Sequence, residues 1–127
     1  MSREIKFRGK QIDNGEWVYG FLADEDYIND IDSIDLSSIE VDIDTVGQFT
    51  GLFDKNGKEI YEGDILHTIT FGFNPEEYTA IILYRNCSFQ LSNGRNLFYF
   101  GQSDLTKMDD TIVIGNIYDN PELIKEE

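Results

Sequence analysis

The chain has 127 residues, enough for one domain with one proper core. Its 25 acidic and 10 basic residues leave a net charge of −15, which argues against direct binding to a nucleic-acid backbone, since phosphate contacts need clustered cations. No apolar stretch is long enough to span a bilayer, and the start, Met1-Ser2-Arg3-Glu4, lacks the apolar run of a signal peptide, so a soluble cytoplasmic protein with no membrane role is expected.

The charge is unevenly spread. Arg3, Lys6, Arg8 and Lys10 lie within the first ten residues. From Gln11 to Asp54 there is no Lys or Arg, against twelve acids. Solubility is the plain explanation for this excess. A basic partner or a divalent cation are the functional ones.

In chain order, Glu4 to Ile12 alternates in part, with Ile5 and Phe7 on one face and Lys6 and Arg8 on the other. Asp13-Asn14-Gly15-Glu16 reads as a hairpin turn, because Asn-Gly accepts the positive φ that such turns need. Trp17, Tyr19 and Phe21 then recur at period two, which makes a strand with one aromatic face. Such a face is more often core than ligand platform. Ala23 to Ser38 carries six acids, and a long acidic loop over about residues 23–38 is expected from their mutual repulsion. Ile39, Val41 and Ile43 alternate with Glu40, Asp42 and Asp44, a strand with one apolar and one acidic face; Asp44 is placed to cap a helical turn before Val46.

Val46 to Phe53 is rich in β-branched and aromatic residues and predicts a strand. Asp54-Lys55-Asn56-Gly57 is a tight turn with a left-handed Gly at its end. Lys58 to Glu62 is the return strand, and Glu62-Gly63-Asp64 is a second turn. Strands are expected over residues 64–73, 77–84, 88–91, 97–100 and 111–118, with a helical turn over 103–110. Asn120-Pro121-Glu122 reads as an N-cap, a first-position Pro and an acidic first turn, so a short helix is expected at 121–125. Many short strands, frequent turns and little helix predict a mainly β fold, a small barrel or roll with additional hairpins.

Three blocks of this sequence together resemble the YopX family. They are Ile5-Lys6-Phe7-Arg8-Gly9-Lys10 with Asn14-Gly15-Glu16-Trp17-Val18-Tyr19-Gly20, then Val46 through Ile65, then Val113-Ile114-Gly115-Asn116-Ile117-Tyr118-Asp119-Asn120-Pro121-Glu122-Leu123. The resemblance spans nearly the whole chain. It implies a single domain over 1–127 with an SH3-like barrel or roll, its signature hairpin at 46–65, and a bacteriophage or prophage origin. It implies no catalytic motif. Family members often carry Pro after the acidic residue that precedes the second block, where this chain has Thr45. The acidic stretch from Asp24 to Asp44 is not part of the family pattern.

Chemistry has thin support in the residues. Cys87 and His67 are the only residues of their types, so a zinc site lacks ligands and a Cys–His pair would need the two adjacent in space. A lone Cys forms no internal disulfide and fits a reducing compartment. Asp30-x-Asp32 and Asp42-x-Asp44 have a spacing that suits a hard cation, but among so many acids such pairs arise by chance. No phosphate-binding or dinucleotide motif is present. No metal and no cofactor is therefore expected.

Three functional readings follow. The first is a non-enzymatic module that binds a host or phage protein, with Trp17, Tyr19, Phe49 and Tyr61 divided between core and groove. The second is an acidic decoy, in which Asp30, Asp32, Asp35, Glu40, Asp42 and Asp44 imitate DNA phosphates and occupy a host DNA-binding protein. The third, weaker, is a small carboxylate-dependent enzyme, which needs a pocket and a carboxylate of raised pKa. Open strand edges also allow a homo-oligomer.

Overall fold

The computed structural model describes residues 5–31, 37–69, 77–85, 88–92 and 111–124. The chain forms two compact units, Met1–Phe49 and Thr50–Glu127. Among the described residues the fold is mainly β, with two antiparallel sheets and no closed barrel.

The N-terminal unit is built on β1 (Phe7–Lys10), β2 (Trp17–Asp24), β3 (Tyr27–Asp30) and β4 (Ser38–Glu40). They lie antiparallel in the order β4-β3-β2-β1. The other side of β1 takes the first residues of β5 (Gly47–Phe53), with Phe7 opposite Gln48 and Arg8 opposite Gly47. The β1–β2 turn forms as its residues predict. Gly15 has φ +72°, its N–H donates to Gln11 O (3.0 Å), and Glu16 N–H donates to Asn14 Oδ1 (2.9 Å).

The core of this unit is Val18, Ile28 and Val41, with Phe7, Ile39 and Val46 packed against it. Val18 and Gly20 therefore form the inward face of β2, and the aromatic alternation Trp17, Tyr19, Phe21 lies on the other. Two glycines let the core close. A Cβ at Gly9 would stand 2.9 Å from Val41 Cγ2, and one at Gly20 would collide with the backbone carbonyl of Asn29.

Two expectations for this unit are corrected. The expected loop over 23–38 contains a strand, Tyr27–Asp30, which pairs with β2 on one side and β4 on the other. Ile28 explains it: a fully buried side chain that alternates with Tyr27 and Asn29 outweighs the local charge repulsion. The strand predicted at Ile39 to Asp44 stops at Glu40, and a 3-10 turn follows at Ile43–Thr45. Its cap is Asp42, not Asp44, with Asp44 N–H donating to Asp42 Oδ1 (3.1 Å). The segment after β4 runs back beside the end of β1, where Gln11 bridges Val41 and Asp42 N–H donates to Lys10 O (2.8 Å). Thr45 locks this return. Its hydroxyl donates to Asp42 O (2.6 Å) and accepts from Lys10 N–H (2.9 Å), two bonds that a Pro there could not make.

The C-terminal unit holds the rest of β5, then β6 (Glu59–Tyr61), β7 (Asp64–Ile69), β8 (Glu77–Arg85), β9 (Ser88–Leu91) and β10 (Thr111–Asn116). Strands β10-β7-β8-β9 make a four-stranded antiparallel sheet. Leu66 faces Val113 on one side and Ala80 on the other, and Ile82 faces Leu91. These residues, with Leu52 and Ile60, are the core, and Tyr78 and Phe89 pack against it.

Asp54 ties the signature turn to β10. Its buried Oδ1 accepts from Asn56 N–H and Lys58 N–H (both 2.9 Å), and Oδ2 accepts from Val113 N–H (3.0 Å). Lys55 N–H donates to Thr111 O (2.8 Å), so the turn covers part of the outer edge of β10. The second turn is tied as well. Gly63 has φ +92°, its carbonyl accepts from Ile117 N–H (3.0 Å), and the Tyr118 ring lies 3.1 Å from where a Cβ would sit.

Beyond β10 the expected helix at 121–125 is a single 3-10 turn, Pro121–Leu123, and Lys125 lies outside the described residues. Asn120 makes no side-chain cap. Its Oδ1 instead accepts from Asn116 N–H (3.3 Å), against a glycine, Gly115, whose Cβ would meet that oxygen at 2.6 Å. The expected strand 97–100 and the helical turn 103–110 also lie outside the described residues.

Candidate partner-binding surface

The face of β1 and β2 opposite the N-terminal core joins cations to aromatic rings. Strand alternation puts Lys6, Arg8 and Lys10 on this face, and the register sets Arg8 against Tyr19 and Lys10 against Trp17. The Arg8 guanidinium lies 4.5 Å from the Trp17 ring centre, and Lys10 Nζ lies 5.6 Å from it. Lys6 Nζ lies 5.2 Å from the centre of Phe49. Lys6 and Arg8 are 9% and 4% exposed, so two of the chain's few cations are buried in the fold, and Lys10 is half-buried. Each such contact contributes about 0.5–2 kcal/mol, more where water is excluded.

Of the four aromatics singled out in the sequence, two are core. Phe49 is 4% exposed, and Tyr61 is 2% exposed with its hydroxyl donating to Glu59 Oε1 (2.9 Å). Trp17 and Tyr19 are half-buried. The exposed rings of this unit are others: Phe21 on β2 at 46% and Tyr27 on β3 at 36%. Phe21 lies opposite Asn29, and Asn29 lies opposite Ser38. Across a register shift between Leu22 and Asp24, Tyr27 lies opposite Asp24 on one side, and it lies opposite Glu40 on the other. Paired residues share a face, so Tyr27 stands between two exposed carboxylates, diagonal to Phe21. The period-two run Tyr27, Ile28, Asn29 was the signal for this strand, and the flanking acids masked it.

The acidic residues separate. Glu40 belongs to this row, Asp30 is half-buried beside Gly20, and Asp42 and Asp44 are exposed on the 3-10 turn. Asp32 and Asp35 lie outside the described residues. Among the described residues no three His, Cys, Asp or Glu side chains gather as a metal set would require. His67 Nε2 lies 2.8 Å from Glu77 Oε1, while Cys87 lies outside the described residues.

In the C-terminal unit the sheet face away from the core exposes Ile69, Ile112 and Ile114. Ile112 lies opposite His67 and Ile69 lies opposite Glu77, so an isoleucine is paired with each member of the His67–Glu77 contact. Among the described residues no helix is long and apolar enough to cross a membrane.

Two antiparallel sheets, short strands and a tied signature turn define a small mainly β protein whose characteristic residues hold its turns. The chain belongs to the YopX protein family, whose model matches residues 6–125. Among solved structures it is similar to the crystal structure of protein EF1440 from Enterococcus faecalis, at 29% sequence identity and a TM-score of 0.59. That match covers 98% of this chain and 100% of the other. No curated protein matches the chain.

Proposed function

We propose that this chain is a non-enzymatic protein-binding module, encoded by a phage or prophage and working in the cytoplasm of a bacterial host. The observation that carries the reading is the pair of exposed rings, Phe21 and Tyr27, on one sheet face. Aromatic side chains are enriched where proteins meet, because they bury much area at small entropic cost. The SH3-like roll implied by the family resemblance fits this role, since such rolls offer binding surfaces between strands and loops.

A tagged pull-down from host cells, at low and high salt, tests the reading. A partner retained at high salt and lost with Phe21→Ser is expected. Recovery of nothing at either salt would overturn it.

The acid-only stretch from Asp13 to Asp54 favours a second reading, an acidic decoy of a host DNA-binding protein. It requires a partner whose capture falls steeply as salt rises and which DNA displaces. Light scattering across a concentration series tests whether a homo-oligomer forms.

A further inference from the structure

We propose that the outward face of β2–β3–β4 docks a basic, apolar peptide segment, with a Lys or Arg of the partner over the Tyr27 ring and an apolar side chain against Phe21. The inference rests on the binding-module reading and names the chemistry of the partner. Three observations carry it. The register sets Tyr27 between Asp24 and Glu40, so a cation over the ring meets two carboxylates at once. Phe21 is a diagonal neighbour, exposed, and offers an apolar surface beside that cation position. The β2–β3 turn adds the acids Glu25 and Asp26, no Lys or Arg occurs from Gln11 to Asp54, and the cations that β1 brings to this face, Arg8 and Lys10, lie over Trp17.

The same sheet face shows the interaction in use. Arg8 already lies over Trp17, and Lys6 over Phe49, within the fold. Among the described residues no cation stands over Tyr27. A partner cation would repeat there what β1 supplies to its own neighbours. The charge sign selects against acidic and phosphate-bearing partners, and the two rings select against a purely hydrophilic basic segment.

The test is fluorescence anisotropy of the full chain with a labelled peptide of alternating lysine and leucine. Glutamate–leucine and lysine–serine peptides serve as controls. Tight binding of the first peptide alone is expected. Tyr27→Ala and Glu40→Gln should each weaken it about fivefold, and Tyr27→Phe should retain it. Asp13→Asn and Glu122→Gln remove the same charge at exposed sites elsewhere and should weaken it less than about twofold.

Equal losses from all the charge variants, or equal binding of the lysine–serine peptide, would reduce the effect to bulk attraction and overturn the site. Peptide-induced amide shifts confined to Ile69, Ile112 and Ile114 would overturn the site while leaving the binding-module reading intact. No peptide binding together with no captured partner would overturn both.

Discussion

Asp54 shows what a family signature residue does here. It is fully buried, yet its two oxygens accept three backbone N–H groups from the turn and from β10. Asp54→Ala would leave those donors unpaired in the interior, and a loss of about 3 kcal/mol is expected in urea unfolding. A loss under about 1 kcal/mol would show that water replaces the carboxylate. The signature glycines separate by surroundings. Gly57 and Gly63 both have positive φ, but an added Cβ meets nothing at Gly57 and the Tyr118 ring at Gly63. Gly57→Ala should cost about 1 kcal/mol from backbone strain alone. Gly63→Ala should cost more, and Tyr118→Ala should bring the two glycine variants to a similar cost. Equal costs in the parent chain would mean that the ring moves aside freely.

At the scale of elements, the β7–β10 pairing contains a polar contact between sheet neighbours. Thr68 and Thr111 face each other in register, both buried, with their hydroxyls 2.8 Å apart. Either single Thr→Val change leaves the other hydroxyl buried without that bond, at a cost of about 1–2 kcal/mol. The double change replaces both by apolar groups of the same shape and should cost less than the sum of the singles. A double-mutant cycle by chemical denaturation reads the coupling, and strict additivity would show that each hydroxyl has another partner. In the N-terminal unit, Gly20→Ala should disrupt the β2–β3 pairing, because the new methyl collides with the Asn29 carbonyl. Loss of amide-exchange protection across Tyr27–Asp30 would report it.

Over the whole molecule the dominant quantity is the charge of −15. Three of the ten bases, Lys6, Arg8 and Lys10, lie over aromatic rings of the N-terminal unit, and ten bases leave the 25 acids far from balanced. Self-repulsion opposes the compact state, and added salt screens it over a length of about 10 Å at 0.1 M. The urea midpoint is therefore expected to rise with sodium chloride. A flat response would show the acids to be too dispersed to strain the fold.

Local chemistry made much of this legible from sequence. The Asn14-Gly15 and Asp54–Gly57 turns, the strand Ser88–Leu91 and the mainly β character follow from backbone preferences and period-two patterning, which act over a few residues. Family membership was legible for the same reason, because its three blocks are mostly turns and the strands beside them. Tertiary contacts decided the rest. Ile28 is buried against Val18 and Val41, residues far from it in the chain, and that burial makes a strand where the local charge predicts a loop. Which face of β2 is core depends on Gly20 meeting β3, a close approach that no alternation of Trp17, Tyr19 and Phe21 encodes. The candidate surface lay beyond sequence for this reason. Asp24, Tyr27 and Glu40 become a row only when three strands pair and the β2–β3 register shifts between Leu22 and Asp24, and neither the pairing nor the shift is encoded in the residues it brings together outside.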